Sequence, residues 1–249
     1  MNKQDICLKI VKICGYNLKY IKTQNYEVCL MVVKNYGLSL KYIKWEDLNL
    51  SKEQIDNLCM EAVKQNGLAL KYVKKQTLEM CMEAIKQNGL AIKHVKWDEL
   101  NLTKEQIYNL CIEAVKNHRY ALKFVKEQTE AICIEAVKKN GLALEYVKNK
   151  TYKLCLMAVI QDGWALAFVE EQTPEICLEA VKQSGYALLF VKNQLDEICL
   201  EAVRQNGLAL QYVKEQTDEI CLESVKQNRE ALKYIRDKEK YEKILKILS

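Results

Sequence analysis

Proline is all but missing from this chain: Pro174 is the only one in 249 residues, and glycine occurs only eight times. Folds built on frequent tight turns, such as β-sandwiches and α/β sheets, use more of both, so the scarcity favours helices. Histidine is almost absent too, with only His94 and His118. No apolar run is long enough to span a bilayer, and the opening MNKQDICLKIVKIC has no signal-peptide pattern. The expectation is a cytoplasmic protein with no membrane partner. Neither sign of charge dominates: 38 basic against 33 acidic side chains leave a net +5, which permits an acidic partner without demanding one. A Gly-rich phosphate loop, a G-x-S-x-G elbow and an H-E-x-x-H metal motif are all lacking, and neither histidine has a recurring acid or nucleophile beside it. The chain is therefore read as non-enzymatic, with no catalytic, cofactor-binding or metal-ligating residue.

What is abundant is cysteine, and it is periodic. Ten of the eleven cysteines (Cys7, Cys29, Cys59, Cys81, Cys111, Cys133, Cys155, Cys177, Cys199 and Cys221) follow one another in steps of 22 residues, twice lengthened to 30. Every glycine lies eight residues after one of them, and only two repeats have another residue there, Arg119 and Arg229. A fixed period of this length is the signature of a repeat array.

One repeat, EICLEAVRQNGLALQYVKEQT from Glu197 to Thr217, shows how the unit should fold. Ile198, Cys199, Leu200, Ala202 and Val203 form one wide helical face. Glu201 and Arg204 lie on the other side at i,i+3 spacing, where they can pair. Asn206-Gly207 ends the helix, with the glycine expected in the left-handed C′ conformation. Leu208, Ala209, Leu210, Tyr212 and Val213 then suggest a second helix of about two turns, and Thr217 caps the first helix of the next unit. Pro174 follows Thr173 at a first helical position, where its missing N–H costs nothing. Each unit is thus a helix–turn–helix hairpin that can bury its broad apolar face only by stacking on its neighbours.

The two long steps hold related insertions, WEDLNLSKEQI from Trp45 and WDELNLTKEQI from Trp97. In both, Ser51 with Gln54 and Thr103 with Gln106 have capping-box spacing, so each insertion reads as a loop and an extra turn on the following helix. Past the repeats, Tyr241, Ile244, Leu245 and Leu248 recur at helical spacing. The predicted fold is all-α: an α-solenoid of about ten short hairpins, continuous over residues 1–236, with a C-terminal capping helix over 237–249. The N-terminus shows no comparable cap.

The unit E-I-C-L-E-A-V-K-Q-N-G-x-A-L-x-Y-V-K resembles the repeat of domain-of-unknown-function family 4116. The resemblance runs from about Asp5 to Arg236. It implies a tandem helical array and a source among giant viruses of amoebae or amoeba-associated bacteria, with the host cytoplasm as the setting if viral. It implies no reaction.

Equivalent cysteines of stacked repeats should lie roughly 9–10 Å apart, too far for a disulfide, which needs Cα atoms within about 7 Å, or for a shared zinc ion. They read as small buried residues at a crowded helix contact. Cys14 stands outside the series, where other repeats have Asn, and is expected near an edge. Lysine recurs after the first helix (Lys34, Lys64, Lys86 and their equivalents) and again after the second (Lys44, Lys74, Lys96 and theirs). A third series, Lys19, Lys41, Lys71, Lys93 and Lys123, lies on the second helix of the first five repeats and becomes Glu145, Ala167, Leu189 and Gln211 later. Residues 1–124 carry 20 basic and 13 acidic side chains, and residues 125–249 carry 18 and 20. The third series is either a solvated face or a basic ladder for nucleic acid or an acidic protein. Where it loses charge, Trp164 and Tyr186 replace Leu after the glycine and Ile160 replaces Lys. Trp164, Ala167, Tyr186 and Leu189 then form a candidate protein-binding patch, unless Trp164 only fills a wider gap between hairpins. The functional expectation is a scaffold for a protein partner, with nucleic-acid binding through the ladder as the alternative. Self-association through the uncapped first repeat or the apolar patch is the further partner expectation.

Overall fold

The computed structural model describes residues 15–248. Cys7, Lys12, Cys14 and the first helix of the first repeat fall outside the described residues. Among the described residues there are ten α-helices and twelve 3₁₀ segments and no strand. The chain divides into two compact units, Met1–Glu127 and Gln128–Ser249. The first holds α1 (Tyr26–Asn35), α2 (Lys52–Gln65), α3 (Leu78–Gln87) and α4 (Lys104–Asn117). The second holds α5 (Glu130–Lys139), α6 (Tyr152–Gln161), α7 (Pro174–Gln183), α8 (Asp196–Gln205), α9 (Asp218–Gln227) and α10 (Lys238–Leu248). Within each unit the repeats stack as an α-solenoid in two rows. Consecutive α-helices pack on one another, the 3₁₀ helices form a parallel row, and each of α1–α4 and α6–α9 also touches the 3₁₀ helices before and after it.

The caps follow the sequence closely. Thr217 accepts the Ile220 amide, and Thr173 caps α7 with Pro174 at the first turn. Both capping boxes form, Ser51 with Gln54 and Thr103 with Gln106. The insertions extend α2 and α4 to 14 residues against 10 for α3, one added turn, preceded by the short 3₁₀ turns Trp45–Asp47 and Trp97–Glu99. Each α-helix between α2 and α8 buries the same four positions, in α8 Ile198, Cys199, Ala202 and Val203. Facing them are Ala209, Leu210 and Val213 from the other row, none of them measurably exposed. Each such aliphatic side chain contributes about 1.5–3 kcal/mol when fully buried. At the C-terminus α10 packs on α9 and buries Ile244, while Lys243 pairs with Asp218.

The second helix of each hairpin has the expected two turns, wound as a six-residue 3₁₀ helix, as in Gly67–Tyr72 and Gly207–Tyr212. A 3₁₀ helix rises about 2.0 Å per residue, so six residues span ~12 Å. That nearly matches the ~15 Å of a ten-residue α-helix at 1.5 Å per residue, and the two rows stay level. The glycines, however, are not left-handed: none has positive φ. The helix ends at the preceding residue, extended in Asn206 at φ −152° and ψ 108°, whose side chain accepts the Leu208 amide and so opens the 3₁₀ helix. Glycine is required because the next α-helix comes so close. A Cβ on Gly67 would lie 2.1 Å from the Ala84 carbonyl oxygen, and one on Gly207 2.4 Å from that of Ser224. Arg119 and Arg229, the two exceptions, begin the last 3₁₀ helix of their respective units.

Candidate functional site

The nine described repeat cysteines are all unpaired and buried. Burial pushes the thiols up: Cys81 to about 12, Cys29, Cys111 and Cys199 to about 11, and Cys59, with Asp56 adding to the effect, to about 12. A thiol held protonated at neutral pH is a poor nucleophile. What the thiols touch is a series of glutamines that the sequence reading passed over. Cys81 Sγ donates to Gln76 Oε1 at 3.6 Å. Gln76 Nε2 donates to the carbonyls of Leu70 (3.2 Å) and His94 (2.9 Å), and the Lys96 amide donates to its Oε1 (2.9 Å). Gln24 and Gln194 repeat this set, so each ties the ends of two successive 3₁₀ helices together. A second glutamine closes α2, α3 and α6–α9: Gln87 Oε1 accepts the Gly67 amide at 2.6 Å, and Gln205 does the same for Gly185. The recurring Q-T before and Q-N-G after the helix were the available signal.

Gln76→Leu should therefore strand two buried carbonyls and one amide. At about 1–3 kcal/mol per unsatisfied buried group, the expected loss is about 3 kcal/mol or more, read as a lower urea midpoint. A loss below about 1 kcal/mol would refute this role. One repeat breaks the pattern with a compensated swap. Lys150 stands in the glutamine place and Glu170 in the lysine place 20 residues on, and the two pair at 3.3 Å.

The three lysine series separate by what they touch. Several members of the first are neutralised: Lys64 pairs with Glu61, Lys182 with Glu179 and Lys226 with Glu223. Arg204 pairs with Glu223 of the next helix, at 3.7 Å, rather than with Glu201. The second series is engaged with backbone: Lys96 Nζ donates to the Lys74 carbonyl, Lys192 to Glu170 and Lys214 to Lys192. Each lysine thus reaches back one repeat to the matching carbonyl. The third series differs. Lys71, Lys93 and Lys123 are exposed and have no carboxylate partner among the described residues. Lys19 and Lys41 sit over the rings of Tyr20 and Tyr42, with Nζ 4.5 and 4.6 Å from the centroids, and Lys71 lies 5.8 Å from that of Tyr72.

These five lysines occupy the fifth position of consecutive packed 3₁₀ helices of the first unit, and none of those five helices contains an acidic residue. His94 takes the aromatic place beside Lys93. Its pKa is lowered, first by burial and then by the charges of Lys93 and Lys71. His118 does a different job: it ends α4, and its Nδ1 accepts the Tyr120 amide where other repeats use Asn.

In the second unit the equivalent row carries Trp164 and Ala167 on the 3₁₀ helix Gly163–Phe168, and Tyr186 and Leu189 on the adjoining Gly185–Phe190. Trp164 packs edge-on to Phe190 with centroids 5.3 Å apart, and Tyr186 does the same with Tyr212 at 5.9 Å. Even so, Trp164 remains 43% exposed, Leu189 50% and, at the end of α6, Ile160 53%. Ala167 is also exposed, while Tyr186 is half-buried. Trp164 thus both fills the gap to its neighbour and faces solvent. A recess of about 810 Å³ over α2 and the start of α3 is lined by Lys52, Glu53, Asp56, Asn57, Met60 and Glu79 among others, without a cysteine or histidine. No described helix is long and apolar enough to cross a membrane.

The family described as "Domain of unknown function (DUF4116)" matches at residues 4–48, 56–101, 173–217 and 196–239, more than half of the chain. The chain belongs to this family. Each DUF4116 match takes in more than one hairpin, consistent with a tandem array. No curated protein and no solved structure matches the chain.

Proposed function

We propose that this DUF4116 chain is a non-enzymatic scaffold that holds another protein along the 3₁₀ row of its second unit. The carrying observation is that the fifth position of this row is apolar at only two rungs, Ala167 and Leu189, which are adjacent, and that Trp164 and Leu189 stay about half exposed there. Exposed apolar patches on soluble proteins mark interaction sites, and tryptophan and tyrosine dominate binding hot spots. The strip is two rungs long, roughly 20 Å at 8–10 Å per packed helix. That suits the apolar side of one helix or extended segment, which is the occupant proposed, better than the broad face of a large obligate dimer. The buried thiols, held protonated at neutral pH, fit the non-enzymatic reading.

The test places a photo-crosslinking residue at position 189 or 164 and compares the adducts with those from positions 71 and 93. The same foreign protein should crosslink at both strip positions and at neither ladder position. Its recovery should fall at least about tenfold in the Trp164→Ala, Leu189→Lys variant, consistent with hot-spot losses of ~2 kcal/mol or more. Adducts formed only with a second copy of the chain, or unchanged recovery with the helical circular dichroism intact, would overturn the reading.

A further inference from the structure

The lysines of the first unit raise a separate question. A repeat protein can keep its surface soluble with charges that neutralise one another, and several lysines of the first two series are spent in that way or on neighbouring carbonyls. Part of the third series differs. Lys71, Lys93 and Lys123 form no ion pair among the described residues, and the 3₁₀ helices that carry them hold no acid. Like charges in one line repel each other. The lowered pKa of His94, to which both Lys93 and Lys71 contribute, shows adjacent rungs acting on a common point. The second unit drops the lysine at the equivalent sites in favour of Glu145, Ala167, Leu189 and Gln211, so neither the repeat fold nor its packing requires a cation there.

We infer that Lys19, Lys41, Lys71, Lys93 and Lys123 form a track for the phosphate backbone of a single-stranded nucleic acid. Three features select this occupant. The cations recur at one interval, roughly 8–10 Å per stacked helix, which suits a polymer of evenly spaced anions better than the irregular acids of a folded protein. The described rungs are short six-residue 3₁₀ helices, unlike the longer helix or ribbon that usually enters a duplex groove, and a flexible strand can adjust its phosphate spacing to the rungs where a duplex cannot. Each lysine is followed by a ring: Tyr20, Tyr42, Tyr72, His94 and Phe124. Tyr20 is 68% exposed. A positive line interleaved with rings is the arrangement on which unpaired bases stack while the backbone is neutralised. The track is independent of the apolar strip in the second unit and uses none of its residues.

Fluorescence anisotropy of a labelled 20-mer of oligo(dT), titrated with the full chain from 25 to 200 mM salt, tests the inference. Five neutralised phosphates give an expected slope of log affinity against log salt of about −3.5, at ~0.7 per phosphate for single strands. Lys71→Glu, Lys93→Glu, Lys123→Glu should weaken binding at 25 mM salt at least about tenfold and flatten the slope to about −1.4. These side chains are exposed, so unchanged circular dichroism checks that the triple variant is folded. Lys182→Ala with Lys226→Ala, which removes two ion-paired lysines, should leave affinity and slope unchanged. The inference fails if no binding is seen at 25 mM salt, or if the triple variant binds as well as the parent. It fails also if a duplex of the same length competes as well as the single strand, or if polyglutamate does, which would point to an acidic protein.

Discussion

Gly67→Ala is expected to destabilise the protein by about 3 kcal/mol, the upper range for forcing extra volume into a packed site, although it adds one methyl group and meets no forbidden dihedral. The glycine has no positive φ, so the whole effect must come from proximity. The new Cβ would sit 2.1 Å from the Ala84 carbonyl oxygen and 3.1 Å from Gln87 Oε1. Neither group can easily retreat. The carbonyl already accepts the Asn88 amide at 2.9 Å, and Gln87 is held by the Gly67 amide itself. Relief requires α3 to move away from the 3₁₀ helix, which opens the core around Leu70 and Ile85. Arg229→Gly provides the contrast, because that 3₁₀ helix is the last of its unit. It should change stability by less than about 0.5 kcal/mol, the usual range for a surface site. Urea midpoints of the two variants decide the matter, and a Gly67→Ala protein within about 0.5 kcal/mol of the parent would sink the close-approach account.

A second large effect should appear with pH. Burial raises the thiols of Cys29, Cys111 and Cys199 to about 11 and those of Cys59 and Cys81 to about 12, from an ordinary value of 9.0. A group whose folded pKa lies above its unfolded one contributes stability that is complete below the unfolded value and is lost as pH climbs towards the folded one. The sensitive window therefore opens near pH 9 and extends to pH 11–12. At pH 10 each of these thiols would be mostly ionised in the unfolded chain and protonated in the folded one, a loss of about 1.4 kcal/mol apiece. Together they should remove several kcal/mol between pH 8 and pH 10. The control that isolates the thiols is the Cys59→Ala, Cys81→Ala variant. It should lose measurably less than the parent over that interval. Equal losses in the two proteins, or a urea midpoint flat to pH 10, would show that thiol burial does not govern alkaline stability.

Much of the architecture could be read from single repeats. The cysteine period marked the hairpins, and Ser51, Thr103, Thr173 and Thr217 marked helix starts because an N-cap depends on the residue and the three after it. Pro174 and the two insertions fell into place for the same reason. The apolar strip was legible as four departures from a repeating template, and its exposure at Trp164 and Leu189 is consistent with the absence of a charge that would otherwise cover it. The glutamines went unread because a polar residue next to a threonine looks like loop. Only the stacked carbonyls of Leu70 and His94, 6 and 18 residues away from Gln76, show that it is a buried tie. Arg119 was noted as a missing glycine, but its meaning as the last rung of a unit needed the division at Glu127.

Sequence alone determined the helical class, the repeat length, the caps and the family, since each is set by contacts within a few residues or by recurrence along the chain. Tertiary structure decided three further matters: that the second helix winds as 3₁₀, that glycine is demanded by a neighbouring carbonyl and not by its own dihedrals, and which lysines reach a carboxylate or carbonyl of a neighbouring repeat. Each depends on a backbone group or carboxylate brought in from another repeat, typically about 20 residues away. That partner exists only once the hairpins have stacked, so a reading confined to one repeat sees the lysines as equivalent.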